Sequence, residues 1–252
     1  MGYGSSRASR NRRVHTRRKP IMTSRNAPSL VVPDACERWL EGRGSLYQLY
    51  AEFLGRRPKL SMIAEWSLDR RIGALLDGLD SGRELRSCLY TRNAGDLPGI
   101  WEREAQEYDR LTSLRAAGLA AARESELRGE KEDFCNVLSG IYAESGIVFK
   151  KCGAEADDHI AIELEFMSIL HEEMMFNSFS VRSALERLET QEKFLEEHLL
   201  LWAPGFCAKL TAATESPLYR GLARLLEEFL PYDLEMLRSW RAALEAGSAA
   251  LV

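Results

Sequence analysis

Apolar residues recur at helical spacing along nearly the whole chain. The clearest run covers residues 158–176, where Ile160, Leu164, Met167 and Met174 fall at i, i+4, i+7 and i+14. Ile162, Phe166, Ile169 and Leu170 widen that face, and Ala161, Glu165, Ser168 and Glu172 form an opposite stripe expected to face water. Ile160, Ile162, Leu164 and Phe166 also alternate as in a strand. The run outlasts a strand, however, and Ala, Glu, Leu and Met are helix formers. It reads as a core helix from about Asp158 to Phe176.

Other helices follow from the same period and from their stop signals. Ser45 is placed to cap a helix carrying Leu46, Leu49, Tyr50, Phe53 and Leu54, closed before Pro58. Ser67 is placed to cap another with Leu68, Ile72, Leu75 and Leu79. A short helix holds Leu85, Cys88 and Leu89, and a turn follows at 95–99. Trp101, Tyr108, Leu111 and Leu114 share one face of the next helix, and Phe134, Leu138 and Ile141 line one that stops at Gly146. A helix over 188–202 presents Leu188, Leu195, Leu199 and Trp202 and is expected to end at Pro204-Gly205. Ser216-Pro217 opens another with Leu218, Leu222, Leu225 and Phe229, ended by Pro231, and the last holds Leu234, Leu237 and Trp240. No alternating Val/Ile/Thr-rich run lies between turns. The expected fold is all-α: one globular helical bundle domain over residues 29–245, preceded by a disordered basic extension over 1–28.

Composition narrows the class. The chain has 252 residues, 45% hydrophobic and 29% charged, and no apolar run approaches the ~18–20 residues of a membrane span. Its five cysteines (Cys36, Cys88, Cys135, Cys152, Cys207) are scattered and form no Cys-x-x-Cys pair. That usage points to reduced thiols in a cytoplasm rather than a disulfide framework or a zinc site. The net charge of −4 hides a division, because residues 1–28 carry eight basic groups and no acid. The remainder stands at −12, and residues 155–198 alone at −9. An acidic body favours basic partners and disfavours nucleic acid, although solvated helix faces are also often acidic. In the extension, Met1-Gly2 with Ser6 fits a loose myristoylation pattern. Thr16-Arg17-Arg18-Lys19 is like a twin-arginine leader without its apolar stretch, and Met22 offers an alternative start.

Catalytic signatures are missing. No histidine has a glutamate three residues before it, as a di-metal bundle requires, and no Gly-Lys dipeptide marks a phosphate loop. Asp158, His159 and Glu163 form the one set with spacing for a single metal ion. His198, among Leu195, Leu199 and Trp202, reads as a core histidine. The chain is therefore expected to be no enzyme, with no cofactor and no metal. The notable chemistry lies in Glu155, Asp157, Asp158 and His159, directly before the core helix. One reading makes an aspartate the cap of that helix. The other makes the loop a receptor for a cationic peptide, since carboxylates pair bidentately with guanidinium groups.

Glu155, Asp157, Asp158 and His159, followed by Glu163, Leu164, Phe166, Met167 and Leu170, resemble the signature of the TorD/DmsD/NarJ family of redox-enzyme maturation chaperones. Ala156 stands where the family has proline. The likeness extends to residues 43–54 followed by Pro58, to Glu107-Tyr108-Asp109-Arg110-Leu111, to residues 192–202 with His198 and Trp202, and to residues 217–223. Arg123-Glu124-Ser125 is only partly similar to a further family segment, and no role is carried over to it. The resemblance implies a cytoplasmic chaperone that binds the twin-arginine leader and apoprotein of a molybdopterin-dependent oxidoreductase catalytic subunit and holds it until cofactor insertion and export. It implies peptide binding by Glu155, Asp157, Asp158 and His159, and leaves a homodimer open. The alternative is a helical adaptor unconnected with export, whose acidic loop is only a cap.

Overall fold

The computed structural model describes residues 32–90, 94–114, 119, 122–130, 133–149, 156–177 and 180–249. The readings of residues 1–28, and of Glu155, lie outside the described residues. The chain folds as one helical domain, with no strand among the described residues. Eleven α-helical segments are described: α1 (Asp34–Gly55), α2 (Leu60–Leu68), α3 (Gly73–Asp77), α4 (Gly82–Leu89), α5 (Leu97–Ser113), α6 (Glu124–Arg128), α7 (Phe134–Glu144), α8 (Ile160–Asn177), α9 (Val181–Phe194), α10 (Leu200–Ala213) and α11 (Pro217–Ala249).

The centre is the antiparallel pair α1 and α8. Two glycines three turns apart on α1 let the backbones close. A Cβ on Gly44 would stand 2.4 Å from the His171 ring, and one on Gly55 would stand 2.6 Å from the Ala161 Cβ. Ser168 donates to the Gly44 carbonyl at 3.2 Å. Ala161 and Ser168 are thus buried with Ile160, Leu164, Phe166 and Met167. The stripe expected to face water does so only at Glu172, with Glu165 half-buried, because neighbours cover α8 on most sides. His171 is enclosed too, and burial, reinforced by Arg43, pushes its imidazole down to about 3.

Several helix boundaries differ from expectation. Ser45 caps nothing: α1 starts eleven residues earlier, after Pro33, with Asp34 and Glu37 suited to its N-terminal dipole. Ser67 lies in the last turn of α2, where Leu68 is exposed, and the chain turns before α3. Pro204 and Pro231 end no helix but sit inside α10 and α11. A proline costs its helix one N–H bond and a local bend. The buried Phe206, Cys207 and Leu210 beyond the first, and Asp233, Leu234, Leu237 and Trp240 beyond the second, outweigh that cost. Between α9 and α10 the helix widens into a π-helical turn, Leu195–Leu199.

α11 closes the domain onto its first helix. Arg43, wholly buried, donates to both Asp233 oxygens at 2.6 and 2.8 Å and to Gln191 at 2.5 Å. Trp39 and Tyr47 each add a 2.7 Å hydrogen bond to the same carboxylate. The start of α11 is held by Ser216, whose hydroxyl accepts from the backbone of Leu218 at 3.0 Å. Glu107 of α5 accepts from Thr214 and the Glu215 amide, both at 2.7 Å. Burial opposes its charge, but these donors and Arg110 hold its carboxyl at about 2.

Candidate functional site

The acidic loop is built into the fold between α6, α7 and α8. Residues 122–124 and 158–160 run antiparallel for one bridge: the Glu124 amide donates to the Asp158 carbonyl and the Ile160 amide to the Ala122 carbonyl, both at 2.9 Å. The Asp158 side chain is fully buried. It accepts from Arg123 Nε at 3.0 Å, Cys135 Sγ at 3.1 Å, the Ser125 amide at 3.3 Å and the Ser125 hydroxyl. Burial works against its charge, yet the bonds from Ser125, Cys135 and Arg123 prevail and hold its carboxyl below the ordinary range. Asp157, also buried, accepts from the Ser139 hydroxyl, and its carbonyl accepts from Tyr142 at 2.8 Å.

The capping role falls elsewhere than the sequence suggested. Asp158 does not cap α8; it caps α6 from across the bridge. The first turn of α8 is satisfied by His159, whose Nδ1 accepts from the Ala161 amide at 3.2 Å. That bond commits Nδ1 as an acceptor and leaves the ring half-buried at the surface. Asp158, His159 and Glu163 do not gather as a metal set, and no group of three or more metal-ligating side chains occurs among the described residues.

Behind the loop lies a second buried polar cluster. Glu163, on the core side of α8, accepts from Trp202 Nε1 at 3.1 Å, and its other oxygen has no hydrogen-bond partner. Burial first, and the nearby Glu124 carboxylate second, raise the Glu163 carboxyl well above its ordinary range. Glu124 in turn meets His198 Nδ1 at 3.1 Å and Arg128 at 2.5 Å. His198 stacks on Phe194 with ring centres 4.9 Å apart. His198 is thus a core histidine with a partner.

Three segments singled out in the sequence therefore meet in one place: the acidic loop, the Glu163 helix, and the helix of His198 and Trp202. The partly similar Arg123-Glu124-Ser125 joins them as a fourth. Sequence reading missed that Glu124 and Ser125 belong here. It also missed Cys135, Ser139 and Tyr142 on α7, for which sequence spacing carries no signal. One sign was present: Glu163 falls on the apolar period of α8, and a carboxylate there needs a buried partner.

The chain matches the family model described as nitrate reductase delta subunit over residues 104–208. It is 33% identical over 183 residues to the chaperone protein TorD of Vibrio cholerae serotype O1, covering 72% of this chain and 78% of that protein. The chain belongs to the TorD/DmsD/NarJ family. A perchlorate reductase assembly chaperone protein of Dechloromonas aromatica is 31% identical over 98 residues, covering 39% of this chain and 44% of its own. TorD of Vibrio atlanticus is 32% identical over 101 residues, covering 40% and 46%. Membership in the TorD family makes the chain a chaperone and not a catalyst. The 104–208 match contains the whole polar assembly, from the Arg123-Glu124-Ser125 segment to Trp202. No helix of the described residues is long and apolar enough to cross a membrane.

Proposed function

We propose that the protein is a dedicated maturation chaperone for a molybdopterin-dependent oxidoreductase subunit. It binds that client's twin-arginine leader and apoprotein in the cytoplasm and releases them after cofactor insertion. The observation that carries the reading is the likeness over 183 residues to a protein named as a TorD chaperone. The relative named for perchlorate reductase assembly supports a redox-enzyme client. The −9 balance of residues 155–198 suits a cationic leader.

Within this reading Glu155, Asp157, Asp158 and His159 receive the leader's arginines. Asp158 is already paired with Arg123, whose side chain is 36% exposed. A client guanidinium therefore gains this carboxylate by replacing one guanidinium with another, at little electrostatic cost. The half-buried His159 ring stands beside them at the head of α8. The test is calorimetry with three leader peptides carrying Arg-Arg, Lys-Lys or Gln-Gln, at low and physiological salt. Arg-Arg should bind tightest, Lys-Lys less well and Gln-Gln least. The differences should shrink as salt rises, since exposed charges are screened within about 8 Å at physiological ionic strength. Equal affinities overturn the electrostatic reading.

One observation favours the adaptor alternative for the loop: both described aspartates are buried and spent on the chain's own donors. His159→Ala separates the two. Loss of its cap should cost about 1 kcal/mol in either case. A peptide affinity reduced tenfold or more supports recognition, and unchanged affinity with the same melting shift makes the loop structural.

A further inference from the structure

α1 and α8 lie antiparallel, so the start of one stands beside the end of the other, and the approach of Gly44 to His171 fixes their register. One turn outward from that contact, α1 reaches Glu41 and α8 reaches Met175, followed by Glu37 and Phe176. Met175 is 48% exposed and Phe176 77%, the highest value for a large apolar side chain among the described residues. Glu172, one turn before Phe176 on the same face, is exposed as well. On α1 the exposed Asp34, Glu37, Arg38 and Glu41 follow at i, i+3, i+4 and i+7 and make one stripe. The stripe runs on into Gly44, so it borders α8 instead of facing away from it.

Charge at this end is one-sided. Asp34, Glu37, Glu41 and Glu172 are all exposed, and none of them makes an ion pair or a side-chain hydrogen bond with another described residue. Arg38 is the opposing cation on the stripe, and Glu173 is already bridged to Arg187 at 3.8 Å. The chain also enters the domain here: Val32 is half-buried against the core, and α1 begins at Asp34. Upstream, Arg17-Arg18-Lys19-Pro20-Ile21-Met22-Thr23-Ser24-Arg25 sets an apolar pair between cationic groups, in a stretch of residues 1–28 with eight basic groups and no acid. The ten residues from Met22 to Val32 can span up to about 33 Å. Phe176 lies opposite residue 39 or 40, only about 8 Å along the axis from the start of α1.

We infer that the exposed end of the α1–α8 pair is the docking surface for the chain's own residues 17–25. Ile21 and Met22 cover Met175 and Phe176, and the basic groups on either side of them meet Glu37, Glu41 and Glu172. A tethered segment acts at an effective concentration in the millimolar range, so a contact of little intrinsic affinity is enough. Its apolar part does not depend on salt, and its charged part does. The 18 residues of α8 separate this end from the acidic loop by about 27 Å. The docking therefore stands apart from the chaperone reading and leaves the loop open to a client.

The test is limited trypsin digestion of the full-length protein, with each cut in residues 1–28 timed by mass spectrometry. At low salt, cuts after Arg17, Arg18 and Arg25 should be roughly fivefold slower than cuts after Arg7 and Arg10, and high salt should narrow the gap. Met175→Asp with Phe176→Asp should bring the slow cuts up to the rate of the others, and so should Glu37→Gln with Glu41→Gln. Melting should move by no more than a few degrees, because all four side chains already face water. Met175→Leu with Phe176→Leu should keep the protection. Equal rates at all sites in the unaltered protein overturn the assignment, as does protection that both pairs of disruptive substitutions leave intact. Sedimentation and leader calorimetry on the same variants identify a different occupant. If Met175→Asp with Phe176→Asp changes the association state but not the cutting, the surface is a contact between copies. If it weakens leader binding but not the protection, the surface belongs to the client, and either result overturns the docking of residues 17–25.

Discussion

Single side chains in this domain carry titrations with opposite signs. His171 has its proton affinity lowered by burial, to about 3, whereas an unfolded histidine titrates near 6.5. Below 6.5 the unfolded chain binds a proton that the folded one refuses, so stability falls as the solution is acidified. The loss should reach roughly 2 kcal/mol by about pH 5. Urea melts from pH 7.5 down to 5 should show it, and His171→Met should flatten the profile. Glu163 runs the other way. Its folded carboxyl titrates above the unfolded one, so its contribution is intact below about 4.5 and is lost as pH rises. Glu163→Gln keeps the shape and the acceptor for Trp202, and should gain on the parent protein as pH rises from 5 to 9. A constant difference across that range would mean the carboxyl is ionised in the folded state. Asp158→Asn removes a charged acceptor from Arg123, Ser125 and Cys135 and should cost about 2 kcal/mol in chemical denaturation. The cost belongs to the junction of α6 and α7, since the α8 cap is His159.

At the scale of the elements, the α1–α8 contact depends on absent side chains. Gly44→Ala puts a methyl group into the His171 ring and should destabilise by about 1–3 kcal/mol. Gly205→Ala, inside α10 with nothing within 4 Å of the new atom, should stabilise by roughly 0.5–1 kcal/mol. Thermal melts of the two variants should therefore move in opposite directions. The same contact explains what the sequence disclosed and what it did not. Periodicity identified α5, α7, α8 and the start of α11, because their apolar faces repeat within the element itself. It misplaced the start of α1 and the stripe on α8, since Ser45, Ala161 and Ser168 look polar or neutral in isolation and are buried only by a partner helix. It stopped helices at Pro204 and Pro231 because a local rule cannot weigh the packing beyond them. In the candidate site, the loop residues themselves were legible. Their partners were not: Arg123, Ser125, Cys135 and Ser139 are 35, 33, 23 and 18 residues from the aspartates they bind.

The whole molecule is closed by a charge pair out of reach of water. Arg43 and Asp233 are both wholly buried and are joined by two short bonds, with Trp39, Tyr47 and Gln191 completing their partners. Asp233→Ala leaves a guanidinium uncompensated in the core and should cost about 3–5 kcal/mol. Arg43→Met with Asp233→Leu should recover most of that loss, because two apolar groups need no partner. A double variant as unstable as the single one would show that the neighbouring Trp39 and Tyr47 depend on the carboxylate itself.

The pair also sets a schedule. Its members are 190 residues apart, and a ribosome adding about 5–20 residues per second takes roughly 10–40 s to make the second after the first. Throughout that interval α1, the first of the described helices, lacks its counter-charge, with Trp39, Tyr47 and Arg43 still waiting for the carboxylate. A chaperone thus spends its own synthesis with a buried charge awaiting its partner.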